Sequence, residues 1–368
     1  MSVDYLEGVR SQPENLRRSA DTVRAALAGP RGAELAALRA ADGIIAFGMG
    51  ASGHAAAGFA AVLRAAGVPA LSASAADLIG FASVFRRGAS RMGFASVFRR
   101  GASLIGSASV FRRGASTAGP GFGLAYLGIS QSGRSRETVD ALTATDGPRI
   151  ALTNDPDAPL GRAAGTVVPL GCSEDTAVST LSYTATVQAL GLLADHLTGR
   201  PGPAWDQLPD LAADVLDGDV APLADALDGA ECVDVVGSGA HVATAGAAAL
   251  LLREAAHLPT AAFGTREYLH GPLETAGPGR AVLLFGSGRE ASLARDLAGY
   301  GARVVLVTDS RAVPAGGPLV VRLPATDGLA GCALAILPVQ LAAHALAQRA
   351  GRPIALRYMP ADTKLPAR

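Results

Sequence analysis

The sequence predicts an α/β protein with two parallel β-sheets in tandem, each covered by helices on both faces. Short apolar runs that turn through glycine and serine into helical patterns recur from Gly43 onward, the alternation of parallel strands with crossover helices. The hydrophobic fraction is 49%, mostly alanine, valine and leucine with 5% aromatics, which suits helices packed on a sheet buried on both sides. A chain of 368 residues is long enough for two domains of ordinary size.

In chain order, residues 5–27 read as one charged amphipathic helix ending near Gly29-Pro30, and 33–41 as a second helix. A strand at 43–47 enters the turn Gly48-Met49-Gly50-Ala51-Ser52-Gly53-His54, followed by an alanine-rich helix to about residue 66 and a strand from 68. Residues 78–90, 91–103 and 104–116 are three near-identical units built on Ala-Ser-Val-Phe-Arg-Arg-Gly-Ala-Ser. Three copies inside one connection cannot build a solenoid, so they read as a recent duplication in a surface connection, where insertions cost little. Their arginine pairs could instead form a basic patch.

Strands are expected at 124–127, 149–154 and 166–170, a helix from about 173 to 197, and a linker around Gly199-Arg200-Pro201-Gly202-Pro203. The second half repeats the logic, with strands at 233–236, 281–285, 303–307 and 319–323 and helices at 244–254 and 334–350. The expected division is a helical segment at 1–30, a first domain at 31–198 with the repeats inserted at 78–116, a linker at 199–220, and a second domain at 221–368.

Net charge is +0, so no basic field is available to hold nucleic acid. Cys172, Cys232 and Cys332 are scattered, without metal spacing or a disulfide framework, and no apolar signal region opens the chain. The most apolar window, 329–347, contains Pro338, Gln340 and His344 and reads as a core helix. These features lead to the expectation of a cytoplasmic protein that engages neither membrane nor nucleic acid. His54, His196, His241, His257 and His344 have no mutual metal spacing, and neither metal nor cofactor is expected.

The stretch that carries chemistry is Gly128-Ile129-Ser130-Gln131-Ser132-Gly133-Arg134-Ser135-Arg136-Glu137-Thr138. A strand that turns through small hydroxyl residues into a helix N-terminus presents unpaired N–H groups and partial positive charge to an anion. Ser130, Ser132 and Ser135 can donate to phosphate oxygens, Gln131 can donate through its amide, and Gly133 allows close backbone approach. An isolated S-x-S would be an ordinary helix cap. Gly48, Gly50 and Gly53 also match a dinucleotide G-x-G-x-x-G, but the next strand runs into Ser72-Ala73-Ser74 without the acid that would hold ribose hydroxyls.

The order of motifs resembles the tandem sugar isomerase (SIS) domain family, most closely the isomerase half of glucosamine-6-phosphate synthase and its stand-alone relatives. The resemblance rests on Gly48 to Ser52, the Ser130-Gln131-Ser132-Gly133 loop, Glu174 with Val178-Ser179-Thr180, and Glu254 with His270-Gly271-Pro272-Leu273. It implies two SIS domains of flavodoxin-like, three-layer form. It further implies that Ser130, Gln131, Ser132 and Ser135 hold a sugar phosphate with Ser52 and Ser179 nearby, and that Glu254 removes the C2 proton. His270 would open the ring from the neighbouring subunit of a homodimer, and Lys364, the only lysine of the chain, would match the family's catalytic tail lysine. Leu251 replaces a family lysine one turn before Glu254, and Arg134 replaces an acid after the loop glycine. The sequence also starts without a glutaminase domain, so glutamine-dependent synthesis is not expected.

Taken alone, Glu254 would read as a solvated helix end paired with Arg253, His270 as structural, and Lys364 as part of a disordered terminus. The leading expectation is an enzyme on an amino-sugar 6-phosphate, with or without an N-acetyl group, giving aldose–ketose isomerisation with deamination. A dehydratase expelling the C3 hydroxyl is the alternative on the same C2 anion. A sugar-phosphate sensor without turnover is the alternative from another class, although no basic helix-turn-helix precedes Ala41.

Overall fold

The structure, a computed structural model, describes residues 3–29, 35, 38, 41–79, 123–202, 204–311, 317–326, 328–358 and 360–366. The repeat units from residue 80 onward, and most of the helix expected at 33–41, lie outside the described residues.

Two five-stranded, all-parallel sheets carry the chain, as the alternating pattern requires. The first contains β1 (Gly43–Gly48), β2 (Ala70–Ser74), β3 (Leu124–Ile129), β4 (Arg149–Thr153) and β5 (Thr166–Pro169) in the order 2-1-3-4-5. The second contains β6 (Cys232–Gly237), β7 (Thr260–Gly264), β8 (Arg280–Phe285), β9 (Arg303–Thr308) and β10 (Leu319–Arg322), in the order 7-6-8-9-10. The two orders are the same topology repeated. In each sheet the chain reverses its direction of winding beside its first strand, β1 or β6, and the crevice at the carboxyl end of that point is where open α/β sheets bind ligands.

Helices α1 (Tyr5–Arg10) and α2 (Gln12–Ala28) replace the single helix expected at 5–27, with a turn at Ser11 between them. Asp4 begins α1 by accepting from the amides of Leu6 and Glu7. The crossovers of the first sheet include α3 (Ala51–Ala65), α4 (Arg136–Thr143) and α5 (Pro159–Ala163). Then come α6 (Leu181–Thr198), α7 (Ala204–Leu216) and α8 (Ala221–Leu227), so much of the segment expected as a linker at 199–220 is helical. Trp205 and Leu208 bury one side of α7, which gives this Pro-flanked stretch an apolar face that its composition obscures. The rest of the chain adds α9 (Val242–Ala255), α10 (Thr265–Tyr268), α11 (Arg289–Gly299), α12 (Gly328–Ala335) and α13 (Leu337–Arg349), while α8 packs on β9 and β10. Residues 328–349 are long and apolar enough to cross a membrane, but 89% of that window is buried inside the protein.

By contacts the chain forms two compact units whose boundaries cut across the sequence order. An N-terminal sheet unit comprises 21–171, 192–201 and 360–368, and a C-terminal sheet unit comprises 1–20, 172–191 and 202–359. The last residues therefore pack with the first sheet, not with the second domain of the expected division. In the N-terminal sheet unit, Ile45, Phe47, Ala151 and Val167 of the sheet meet Val139 and Leu142 of α4. In the other unit, Val236, Val282, Leu284 and Leu306 meet Leu293 and Leu297 of α11 and the buried ring of Tyr268.

Candidate functional site

The serine loop is held between β3 and α4 by bonds that fix its backbone and leave its donors free. The Ser130 amide donates to Leu152 O (3.1 Å), Gln131 O accepts from the Asn154 amide (2.9 Å), and Gly133 O accepts from the Leu160 amide (2.9 Å). Gly133 adopts φ +63°, and a Cβ there would stand 2.5 Å from Ala158 Cβ and 2.8 Å from Thr153 Oγ1. Only glycine meets both demands. Ser135 takes the cap position of α4 without using its hydroxyl as a cap. Among the described residues, the Ser130 and Ser135 hydroxyls and the Gln131 amide make no side-chain hydrogen bond, while Ser132 Oγ accepts from the Arg134 amide at 3.3 Å. Free hydroxyls at a helix N-terminus are the donor set an oxyanion needs.

Ser52 joins this end of the sheet. A Cβ on Gly48 would lie 2.8 Å from Ile129 O and 2.9 Å from Ser52 Cβ, so the glycine lets the first turn of α3 approach the residue before Ser130. The glycines that match a dinucleotide fingerprint thus serve close packing, and β2 ends at Ser74 followed by Ala75, with no carboxylate there. Lys364 belongs to the same unit: it forms an isolated antiparallel bridge with Ser135. The expected phosphate ligands Ser130, Gln131, Ser132 and Ser135, together with Ser52 and Lys364, therefore lie in one unit.

Ser179, Glu254 and His270 lie in the other unit. Ser179 Oγ is hydrogen-bonded to Ser182 Oγ at 2.7 Å. Glu254 sits in the last turn of α9, half-buried, and burial pushes its carboxyl above the ordinary value. It has no ion pair with Arg253, whose guanidinium donates to Thr260 O at 3.0 Å. The pairing that would make Glu254 an ordinary helix end is absent. His270 is exposed after α10, with its amide donating to Glu267 O at 2.9 Å.

Two residues that sequence reasoning missed explain nearby differences. The helix expected from about 173 begins only at Leu181, because the Asp175 carboxylate takes the amides of Thr180, Leu181 and Ser182 and the Thr180 hydroxyl. An aspartate six residues before a helix is not a recognisable cap in sequence. At the end of the second sheet, the loop after β8 echoes the serine loop with fewer hydroxyls. There Glu290, 2% exposed, accepts from Thr265 Oγ1 at 2.5 Å. It lines a cavity of about 300 Å³ with Ser238, His241, Arg266 and Arg289. The second sheet thus buries a carboxylate beside its loop, while the first has free hydroxyls beside its own. His241 beside it is held below the ordinary histidine value by burial, against the opposing charges of Asp309 and Glu290. Among the described residues no cluster of His, Cys, Asp or Glu could hold a metal ion.

No family model matches the chain. The glutamine–fructose-6-phosphate aminotransferase (isomerizing) of Caulobacter vibrioides is 27% identical over 250 residues, 61% of this chain and 41% of that protein. The C-terminal domain of glucosamine-fructose-6-phosphate aminotransferase from Francisella tularensis superposes with a TM-score of 0.74 at 18% identity, covering 96% of this chain and 98% of that one. The chain has the two-domain α/β fold of the SIS proteins. The glucosamine-6-phosphate deaminase of Thermotoga maritima shares that fold, with a TM-score of 0.69 at 17% identity over 97% of this chain and 98% of that one. The chain spans about two fifths of the length of the curated relatives it matches, at 41%.

Proposed function

We propose that the protein is an enzyme acting on an amino-sugar 6-phosphate, with isomerisation and deamination as its reaction. The observation that carries the reading is the rigid serine loop, with Ser130 and Ser135 hydroxyls unspent at the start of α4 and Lys364 paired beside it. The similar aminotransferase and deaminase, both named for sugar phosphates, support the class of substrate.

In this reading the phosphate rests on Ser130, Gln131, Ser132 and Ser135, with Ser52 and Ser179 toward the sugar. His270, from the second subunit of a homodimer, opens the ring. Glu254 takes the proton from C2 of the open-chain aldehyde, and the C2–H electron pair forms a C1–C2 double bond as the C1 oxygen becomes an enolate. A carboxyl raised by burial is a stronger base than an exposed one. Delivery of the proton to C1 and one to oxygen leaves a protonated imine at C2, and water then releases ammonium and the ketose phosphate.

Leu251, 3% exposed one turn before Glu254, favours a second outcome. With an apolar side chain where the family has a lysine, the C2 anion can expel the C3 hydroxyl as water, giving a C2–C3 unsaturated product.

Proton NMR in deuterated water, with glucosamine-6-phosphate and separately its N-acetyl form, tests the reading. Deuterium at C1 or C2 with free ammonia and a ketose supports the deaminase. An unsaturated product supports the dehydratase. Binding without exchange of either sugar overturns catalysis in favour of a sensor.

A further inference from the structure

We propose that Arg134 and Arg136 are positioning residues that clamp segment 362–365 onto the serine loop, so that Lys364 lies on the same face as the Ser135 hydroxyl. The inference rests on the reading of that loop as a phosphate site, and adds to it a dedicated clasp.

Each arginine grips the segment twice. The Arg136 amide donates to Thr363 O (3.1 Å), and the Leu365 amide donates to Arg134 O (2.8 Å). Arg134 Nε donates to Leu365 O (2.8 Å), and Arg136 Nε donates to Asp362 O (2.9 Å). The two backbone bonds flank the Ser135–Lys364 bridge, which makes those residues a non-hydrogen-bonded antiparallel pair. In such a pair the Cα atoms approach to about 4.5 Å and both side chains leave the same face. Alternation along the strap then sends the next side chain the other way: Leu365 is half-buried against the cluster containing Ile45, Phe47 and Val139, and Lys364 is exposed.

A short segment near a chain end frays unless it is tied down. Here two carbonyls of the strap are met by guanidinium donors from the loop itself. The loop read as the anion site thus also holds the segment that carries the ammonium group. An anion between Ser135 and Lys364 would tighten the clasp further.

Hydrogen–deuterium exchange of the full chain tests this, following a peptide that spans residues 360–366, with and without millimolar inorganic phosphate. The peptide is expected to be protected in the parent. In the double variant Arg134→Met and Arg136→Met it should exchange about tenfold faster, as loss of two hydrogen bonds implies, while peptides from β1 and β3 are unchanged. Lys364→Met should keep the basal protection and lose the extra slowing caused by phosphate. Equal exchange of 360–366 in the parent and the double variant overturns the clamp. If the double variant frees the strap but phosphate slows nothing in the parent, the clamp stands and the phosphate reading of the loop fails. Should the double variant unfold, the single variant Arg136→Gln, which loses only the bond to Asp362 O, gives the same comparison at smaller amplitude.

Discussion

At the scale of single residues, the serine loop and the proposed base ask opposite things of stability. Gly133 combines a left-handed backbone with a Cβ direction blocked by Ala158 and Thr153. Gly133→Ala is expected to destabilise the fold by about 2 kcal/mol or more, the sum of an αL penalty and overpacking. A thermal melt together with phosphate titration checks this; unchanged melting would mean the loop is free to rearrange. Glu254 behaves in reverse. Its folded pKa is raised by burial, so between the unfolded and folded values the native state binds more protons. Stability therefore falls as pH rises through that window and stays lower above it. Glu254→Gln removes this penalty: the variant is expected to melt no lower than the parent at pH 7, to lose the parent's gain on acidification toward pH 5, and to lose turnover. Melting curves at the two pH values, read beside the deuterium exchange of substrate, decide it.

At the scale of elements, the strand–turn–helix alternation was readable because parallel strands such as β1 and β6 are continuous apolar runs and their turns are glycine-marked. The serine loop was readable for the same reason: its donors and its glycine are contiguous in sequence. What was not readable depends on distant partners. Lys364 joins Ser135 by a single antiparallel bridge, which has no periodicity, and composition gives no hint that Leu365 has a core to enter. Asp175 is equally hidden, since it reaches across an irregular turn to the start of α6. Its carboxylate meets four amides, those of Thr176, Thr180, Leu181 and Ser182, and the Thr180 hydroxyl at once. Asp175→Ala is therefore expected to cost about 2 kcal/mol, at the upper end for a lost cap. Circular dichroism melts would show it; a drop of under one degree would mean water takes over those donors.

At the scale of the whole molecule, the same strand order built twice has diverged at the carboxyl ends of its sheets. The first sheet keeps free hydroxyls beside Gly133, and the second carries the buried carboxylate of Glu290. In the proposed reading the phosphate ligands belong to the first sheet, and Glu254 and His270 belong to the unit of the second. The strand order also makes the repeat insertion testable. The connection that holds it leaves the first sheet after Ser74 and returns at Leu124, and both flanking strands are fully registered on β1. Removing residues 91–116 takes out two of the three units and roughly halves that connection. For a flexible connection, halving its length changes the closure free energy by only about 0.6 kcal/mol. The shortened chain is expected to melt within a few degrees of the parent and to keep the same oligomeric state by size-exclusion chromatography with light scattering. Because the serine loop begins at the far end of β3, phosphate protection against heat should also persist. An aggregated or dissociated product would instead make the arginine-rich units part of the assembly, and would point to the pairs Arg86-Arg87, Arg99-Arg100 and Arg112-Arg113 as the groups to substitute next.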